Sequence, residues 1–315
     1  MNVDKAELIR ERLDKAYAML ENCVLCPRHC KVNRLDGKHG VCKLGNELMV
    51  SSIALHHGEE PPLSGTGGSG TIFFASCNLM CVFCQNHPIS HRGEGKKMTP
   101  QQLGNEMLSL QRRGAHNINL VTPTHLVPQI MEALLWAFEE GLEIPIVYNT
   151  GGYDGVETLQ LLEGVIDIYM PDMKYSDNDV ADKLSDASDY PKRNREAVVE
   201  MHGQVGNFVM DTNGIGVRGI LIRHLVLPND LAGTKDIMRF IAEKISKETY
   251  ISLMSQYFPD YRASEFPEIN RRISAHEYSE AQEAMQEYGL HFGWSQNICI
   301  DESIFNIRRF LDGER

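Results

Sequence analysis

The stretch Cys77-Asn-Leu-Met-Cys-Val-Phe-Cys-Gln-Asn86 follows the apolar run Thr71-Ile-Phe-Phe-Ala-Ser76 and places three cysteines at x3 and x2 spacing just past a candidate strand. A structural zinc or a closed iron–sulfur site takes four protein ligands. Three thiolates can instead hold three irons of a [4Fe-4S] cube, leaving the fourth iron open to a substrate molecule. The competing reading is a zinc knuckle completed by His87.

Element order around the stretch favours the open cube. Short apolar runs predict strands over residues 71–75, 117–121, 144–149, 165–170, 219–227 and 249–254. Helical patterns fall between and after them, over 99–113 (opening with Thr-Pro), 126–140, 155–163, 177–201 in two pieces, 234–246 and 275–288. Strands that read as continuous apolar runs and alternate with helices imply a parallel sheet buried on both faces. The expectation is an α/β chain with a partial (β/α)6 TIM-like barrel over residues 71–260. A helix and a cysteine-rich, irregular cap precede it over 1–70, and a helical extension follows over 261–315. Active residues then belong just past the C-terminal strand ends, where the three cysteines lie.

The 315 residues carry a formal net charge of −12 with no basic stripe, which argues against nucleic-acid or anionic-membrane partners. No segment is apolar over a bilayer-spanning length, and the first twenty residues lack the apolar core of a signal peptide, so a cytoplasmic location is expected. In that reducing compartment eight cysteines, seven of them in two tight groups, read as metal or redox ligands and not as disulfides.

Cys77-x3-Cys81-x2-Cys84 opening a βα series resembles the signature of the radical S-adenosylmethionine (SAM) enzymes, and within them the chain is similar to the pyruvate formate-lyase activating enzymes, in particular their PflX-like branch. The resemblance implies a [4Fe-4S] cluster on Cys77, Cys81 and Cys84, SAM as cosubstrate, and a reductant such as flavodoxin or ferredoxin. It also implies a 5′-deoxyadenosyl radical that abstracts hydrogen, from a glycyl residue of a partner protein if the activase role carries over. Phe83 matches the aromatic that lies against adenine. Tyr148-Asn-Thr-Gly-Gly152 and Met170-Pro-Asp-Met-Lys174 resemble segments that build a monovalent-cation site and grip the SAM carboxylate. Carried over, Asn149, Thr150, the Met170 carbonyl and Asp172 hold the cation, and Lys174 reaches the carboxylate. Asn149 departs from the family's aspartate.

Where activating enzymes carry Gly-Gly-Glu, this chain has Val121-Thr-Pro-Thr-His125, leaving Thr122, Thr124 and His125 as replacement acceptors or Thr124 as a plain helix cap. On the fifth strand Arg223 or His224 faces the cofactor, and alternation admits only one of them. Gln256 and Tyr257 are rim candidates on the sixth.

A second group, Cys23, Cys26, Cys30 and Cys42, sits on a glycine-punctuated loop and suits either zinc or a closed iron–sulfur cluster. Cys299 reads as a small buried apolar residue. Three readings remain open at this stage: an activase-like radical enzyme, a radical enzyme acting on a small molecule or other peptide, and an iron–sulfur electron carrier or zinc-stapled binding module.

Overall fold

A computed structural model describes residues 2–295; Cys299 lies outside them. The strands are β1 (Leu48–His56), β2 (Ser69–Phe74), β3 (Lys96–Met98), β4 (Ile118–Val121), β5 (Ile146–Thr150), β6 (Ile168–Pro171), β7 (Val209–Met210), β8 (Gly216–Leu225), β9 (Tyr250–Met254) and β10 (Gly293–Ser295). The helices are α1 (Asn2–Ala18), α2 (Pro61–Ser64), α3 (His87–Ser90), α4 (Pro100–Arg112), α5 (Val127–Glu139), α6 (Val156–Leu161), α7 (Asn178–Ser185), α8 (Tyr190–Val205), α9 (Thr234–Phe240) and α10 (Ala275–Glu287).

Strand order is β10-β9-β8-β6-β5-β4-β2-β1-β3, with β7 paired to β8 alone. From β2 to β10 every neighbouring pair along this path is parallel, so the six predicted strands stand side by side in chain order and β10 extends them by one. This is the open, barrel-like winding expected of consecutive βα units. Boundaries moved for local reasons. The third strand starts at Ile146 and not at residue 144, because Pro145 has no N–H to give to a ladder. The stretch 177–201 breaks at Asp186, whose φ of 50° ends α7 in the left-handed region. α4 and α10 open on capping boxes, Thr99 with Gln102 and Ser274 with Glu277, each contributing about 1 kcal/mol.

The cap departs from its expected irregularity. β1 runs antiparallel to β2, and β3 antiparallel to β1, so this segment adds an antiparallel edge to the sheet. A bulge between Val50 and Ser52 interrupts the period-two pattern of β1. α1 packs on α5, with Ile9 and Ala16 fully buried. Tyr17 donates to Glu132, and Lys5 pairs with Asp167 at 2.6 Å. One apolar core runs from Ala6 to Leu290.

Candidate active site

Side chains at alternate positions of the parallel strands point to one interior. Its lower part is apolar: Val147, Ile168, Met170 and Leu221 meet Leu63 and Phe208. Above them Phe73, Val121, Asn149, Asp172, Arg223, Leu225 and Met254 line a cavity of about 270 Å³. Cys81, Phe83 and Cys84 border it from the loop after β2, Gln256 from just past β9, His56 from the last position of β1 and Glu59 from the segment after it. Two backbone outliers mark the strand ends, Ser76 after β2 and Thr122 after β4, with φ of 70° and 61°. Such left-handed non-glycine residues are strained and gather at functional sites.

The cysteine loop is held against the C-terminal end of α7. Met80 and Val82 amides donate to the Ser185 and Leu184 carbonyls, and the Ser185 hydroxyl donates to Cys81 Sγ at 3.0 Å. Ser90 Oγ lies 3.1 Å from Cys84 Sγ, and the Leu79 amide donates to Cys77 Sγ at 3.3 Å. Burial raises Cys77 and pushes Cys84 up to about 11. Metal binding must therefore displace their protons, as it does at thiolate sites generally. Among the described residues no three His, Cys, Asp or Glu side chains stand at coordination distance from a common point. As donors the three N–H- and O–H-solvated sulfurs, Cys81 buried and Cys77 and Cys84 half-buried, fit a [4Fe-4S] cube with one open iron.

Charges in the cavity are paired. Lys174 Nζ donates to Asp172 Oδ2 at 2.7 Å, Arg223 Nε donates to Asp172 Oδ1 at 2.8 Å, and Arg223 Nη2 donates to Asn149 Oδ1 at 2.8 Å. Glu59 Oε1 lies 3.6 Å from Arg223 Nη1, and its Oε2 accepts from Asn119 at 2.7 Å. Burial acts to raise the Asp172 carboxyl, but Arg223 and Lys174 outweigh it and hold the group below its ordinary range. Burial likewise pulls Lys174 down, and Asp172 more than restores it, so the pair stays ionised.

Several expected residues turn elsewhere. Thr150 Oγ1 donates to Asp154 at 2.7 Å, as does Thr124 Oγ1, and Tyr148 joins them at 3.0 Å in a fully buried knot. His125 Nε2 lies 2.9 Å from the Ala75 carbonyl, and burial lowers its pKa to about 4, so it is a neutral core residue. His224 faces away from the cavity, between the Met173 carbonyl and Thr234, leaving Arg223 as the inward member of that pair. Met170 buries its side chain in the apolar floor, and the half-buried Thr122 does not line the cavity. Tyr257 is core, edge-on to Phe83 with centroids 5.7 Å apart. Of the side-chain oxygens expected around a monovalent cation, those of Asn149 and Asp172 accept from Arg223, and that of Thr150 serves Asp154.

Sequence reasoning missed Glu59, Asn119 and Asp154, and also the clasp from α8. Tyr190 Oη donates to the Gly151 carbonyl at 2.8 Å and lies 2.9 Å from the Asp172 carbonyl; Asn194 Nδ2 donates to the Gly152 and Asp172 carbonyls at 3.0 and 2.9 Å. Together they fix the β5 and β6 loops to each other. Gly152 is required there, since a Cβ would stand 2.2 Å from the Asp172 carbonyl oxygen and its φ is 76°. The only prior signal is the i, i+4 spacing of Tyr190 and Asn194 on one helix face.

Residues 71–219 match the family model described as the radical SAM superfamily. An uncharacterized protein of Methanocaldococcus jannaschii is 32% identical over 299 residues, 91% of this chain and 80% of that one. Among solved structures the chain is similar to a radical SAM methyltransferase from Sphaerobacter thermophilus (13% identity, 74% and 68% of the two chains, TM-score 0.48). It is also similar to a domain of pyruvate-formate lyase-activating enzyme from Bacteroides vulgatus (14%, 69% and 99%, TM-score 0.37). At such scores the architecture rests on the strand order and not on these likenesses. With three cysteines on the loop after the first parallel strand and the family match spanning that loop, the chain belongs to the radical S-adenosylmethionine superfamily, whose members are enzymes that hold a [4Fe-4S] cluster, bind SAM and take an electron from a reductant.

Proposed function

We propose that the chain binds SAM in the cavity beside the Cys77–Cys84 loop and directs the resulting radical at a peptide C–H, a glycyl residue of a partner protein in the activase-like version. The observation that carries this reading is convergence: Cys81, Cys84, Phe83, Asn149, Asp172, Lys174 and Arg223 border one cavity at the C-terminal ends of parallel strands. Cys77, Cys81 and Cys84 would hold the [4Fe-4S] cluster, which, once reduced, would supply the one electron needed for cleavage of the SAM sulfonium C–S bond to methionine and a 5′-deoxyadenosyl radical, the radical ending as 5′-deoxyadenosine once it takes hydrogen from the donor.

The protein's own groups bind and orient. Lys174, held as an ammonium by Asp172, is placed to meet the SAM carboxylate with a charge-assisted bond. Phe83 offers its face to adenine. Phe73, Val121, Leu225 and Met254 wall out water. The guanidinium of Arg223 supplies the positive charge that the resemblance assigns to a monovalent cation. The peptide donor rests on the overall resemblance of the chain to activating enzymes.

The test uses anaerobically reconstituted protein with dithionite and SAM. 5′-Deoxyadenosine forms with the wild type and is absent when Cys77, Cys81 and Cys84 are all replaced by Ala; formation by that variant would falsify the radical reading. Repeating the reaction with the protein fraction of an extract from cells grown on deuterated glycine places deuterium in the 5′-deoxyadenosine. Deuterium arriving only from the small-molecule fraction of an extract from uniformly deuterated cells overturns the peptide donor and leaves the radical chemistry standing.

A further inference from the structure

Arg34 is fully buried at 0% exposure. Its Nε donates to the Gly45 carbonyl at 2.9 Å and its Nη1 to the His125 carbonyl at 2.8 Å, with Cys23 Sγ 3.9 Å from the same nitrogen. Its Nη2 is buried without a hydrogen-bond partner. Arg34 enters none of the ion pairs among the described residues. A guanidinium cannot shed its charge, and a buried charge without a counter-charge is strongly unfavourable. The groups at hand to balance it are sulfurs: Cys23 beside Nη1, and Cys42, which feels the Arg34 charge directly.

Those sulfurs are not alone. A Cβ on Gly40 would lie 3.0 Å from Cys30 Sγ and 4.0 Å from Cys42 Sγ, so these two sulfurs border one spot, and Cys23 and Cys26 lie within electrostatic reach of Cys42. The loop is tightly turned, with His29 and Lys31 at φ of 39° and 55°, and the Cys23 amide and carbonyl are bonded to Val32 and Lys31. The Val41 amide donates to Cys30 Sγ at 3.3 Å, a bond suited to a thiolate. Gly40 leaves Cys30 its space, since a Cβ there would stand 3.0 Å from the sulfur.

We propose that Cys23, Cys26, Cys30 and Cys42 hold a metal centre as four thiolates and that Arg34 is its buried counter-ion. Four thiolates around Zn²⁺, or around a [4Fe-4S]²⁺ cube, carry a net charge of about −2, of which Arg34 offsets one unit. The centre adjoins the radical loop. The Asn78 side chain faces Cys26 and lies 3.9 Å from Cys77 Sγ. Arg28 donates to the Asn78 carbonyl at 2.9 Å and to the Ser185 carbonyl at 3.2 Å, and Ser185 bonds Cys81. An iron centre here lies on a path to the catalytic cluster, whereas zinc only fastens the loop.

Metal analysis of the full chain with Cys77, Cys81 and Cys84 replaced by Ala removes the catalytic cluster from the count. The expected result is about one zinc, or about four irons with a visible band bleached by dithionite, per chain. Either outcome supports the site, and the two separate its metals. Retention of neither, or retention undiminished after Cys26→Ser is added, overturns it. In the same background Arg34→Met speeds loss of the metal to a chelator by about 10- to 100-fold, the usual range for a group that supports ligands from behind. Unchanged release overturns the counter-ion role, and the metal count stands as an independent measurement should Arg34→Met fail to fold.

Discussion

Replacing Arg223 by Met keeps the bulk of the side chain and deletes the guanidinium that joins Asp172 Oδ1 and Asn149 Oδ1, each at 2.8 Å, with Glu59 at 3.6 Å. Removing one partner of a buried ion pair costs about 3–5 kcal/mol because the other charge is stranded. Lys174 remains on Asp172 Oδ2 and Asn119 on Glu59, so the lower end, about 3 kcal/mol, is expected. The pH dependence has a definite sign. Asp172 is depressed in the folded wild type, so its contribution is present above the unfolded pKa of 3.8 and is lost as pH falls through the folded value. In Arg223→Met burial regains its weight, and the gap between variant and wild type is wide at neutral pH and closes on the acid side. Urea unfolding at several pH values measures it. If the guanidinium occupies the place of a monovalent cation, Asn149 and Asp172 become free to bind one in the variant. Potassium then stabilises Arg223→Met in a saturable way, against choline at equal ionic strength, and leaves the wild type unchanged. A loss under about 1 kcal/mol, or equal potassium responses, would refute the reasoning.

Lys174→Ala weakens SAM binding to the cluster-loaded protein by about 1.5–3 kcal/mol, the worth of a charge-assisted bond, with the iron content preserved; equilibrium dialysis reads this, and unchanged affinity returns Lys174 to a purely structural pair with Asp172. Burial raises the Glu60 carboxyl from 4.5 to about 7 against the opposing pull of Arg223. Its stability contribution is whole below pH 4.5 and is lost as pH rises through about 7, so Glu60→Gln flattens that decline by on the order of 3 kcal/mol. Parallel melting-temperature curves for wild type and variant between those limits would contradict it.

How much of this was legible depended on whether the signal was periodic. The parallel strands could be read because each is a short apolar run set off by helix caps and turns, and their C-terminal ends located the cysteine loop, Asn149, Asp172, Lys174 and Arg223 together. Alternation alone said that Arg223 and His224 cannot both face the interior, but not which does; packing of α9 against β8, through Thr234, decides it. Glu59, Tyr190 and Asn194 were illegible because their partners stand far off in the chain: Asn119 and Arg223 for Glu59, and two loop carbonyls for the α8 pair; Asp154 gathers the nearby Tyr148 and Thr150 together with Thr124, thirty residues away, a knot that no periodic pattern marks. Thr124 and His125 are engaged elsewhere for a related reason. A threonine or histidine at a strand end is equally serviceable to a ligand or to a buried carboxylate, and here Asp154 claims Thr124.

The family match ends at residue 219, before Arg223, Leu225, Met254 and Gln256, and begins after both arginines of the first cysteine loop. Part of the cavity lining therefore lies outside the matched stretch, yet it is joined to it physically. Arg28 ties the Cys77 loop to α7, the Thr158 hydroxyl donates to the Leu25 carbonyl at 2.8 Å, and α1 covers α5. The relative that is 32% identical aligns with 91% of the chain, more than the matched stretch alone. Buried polar contacts of this kind have no value to a segment that folds apart, since each leaves a carbonyl or a charge unpaired when the other side is absent. The N-terminal loop thus meets the barrel through buried polar contacts, and the loop that carries Cys77, Cys81 and Cys84 is braced by Arg28 from before the matched segment.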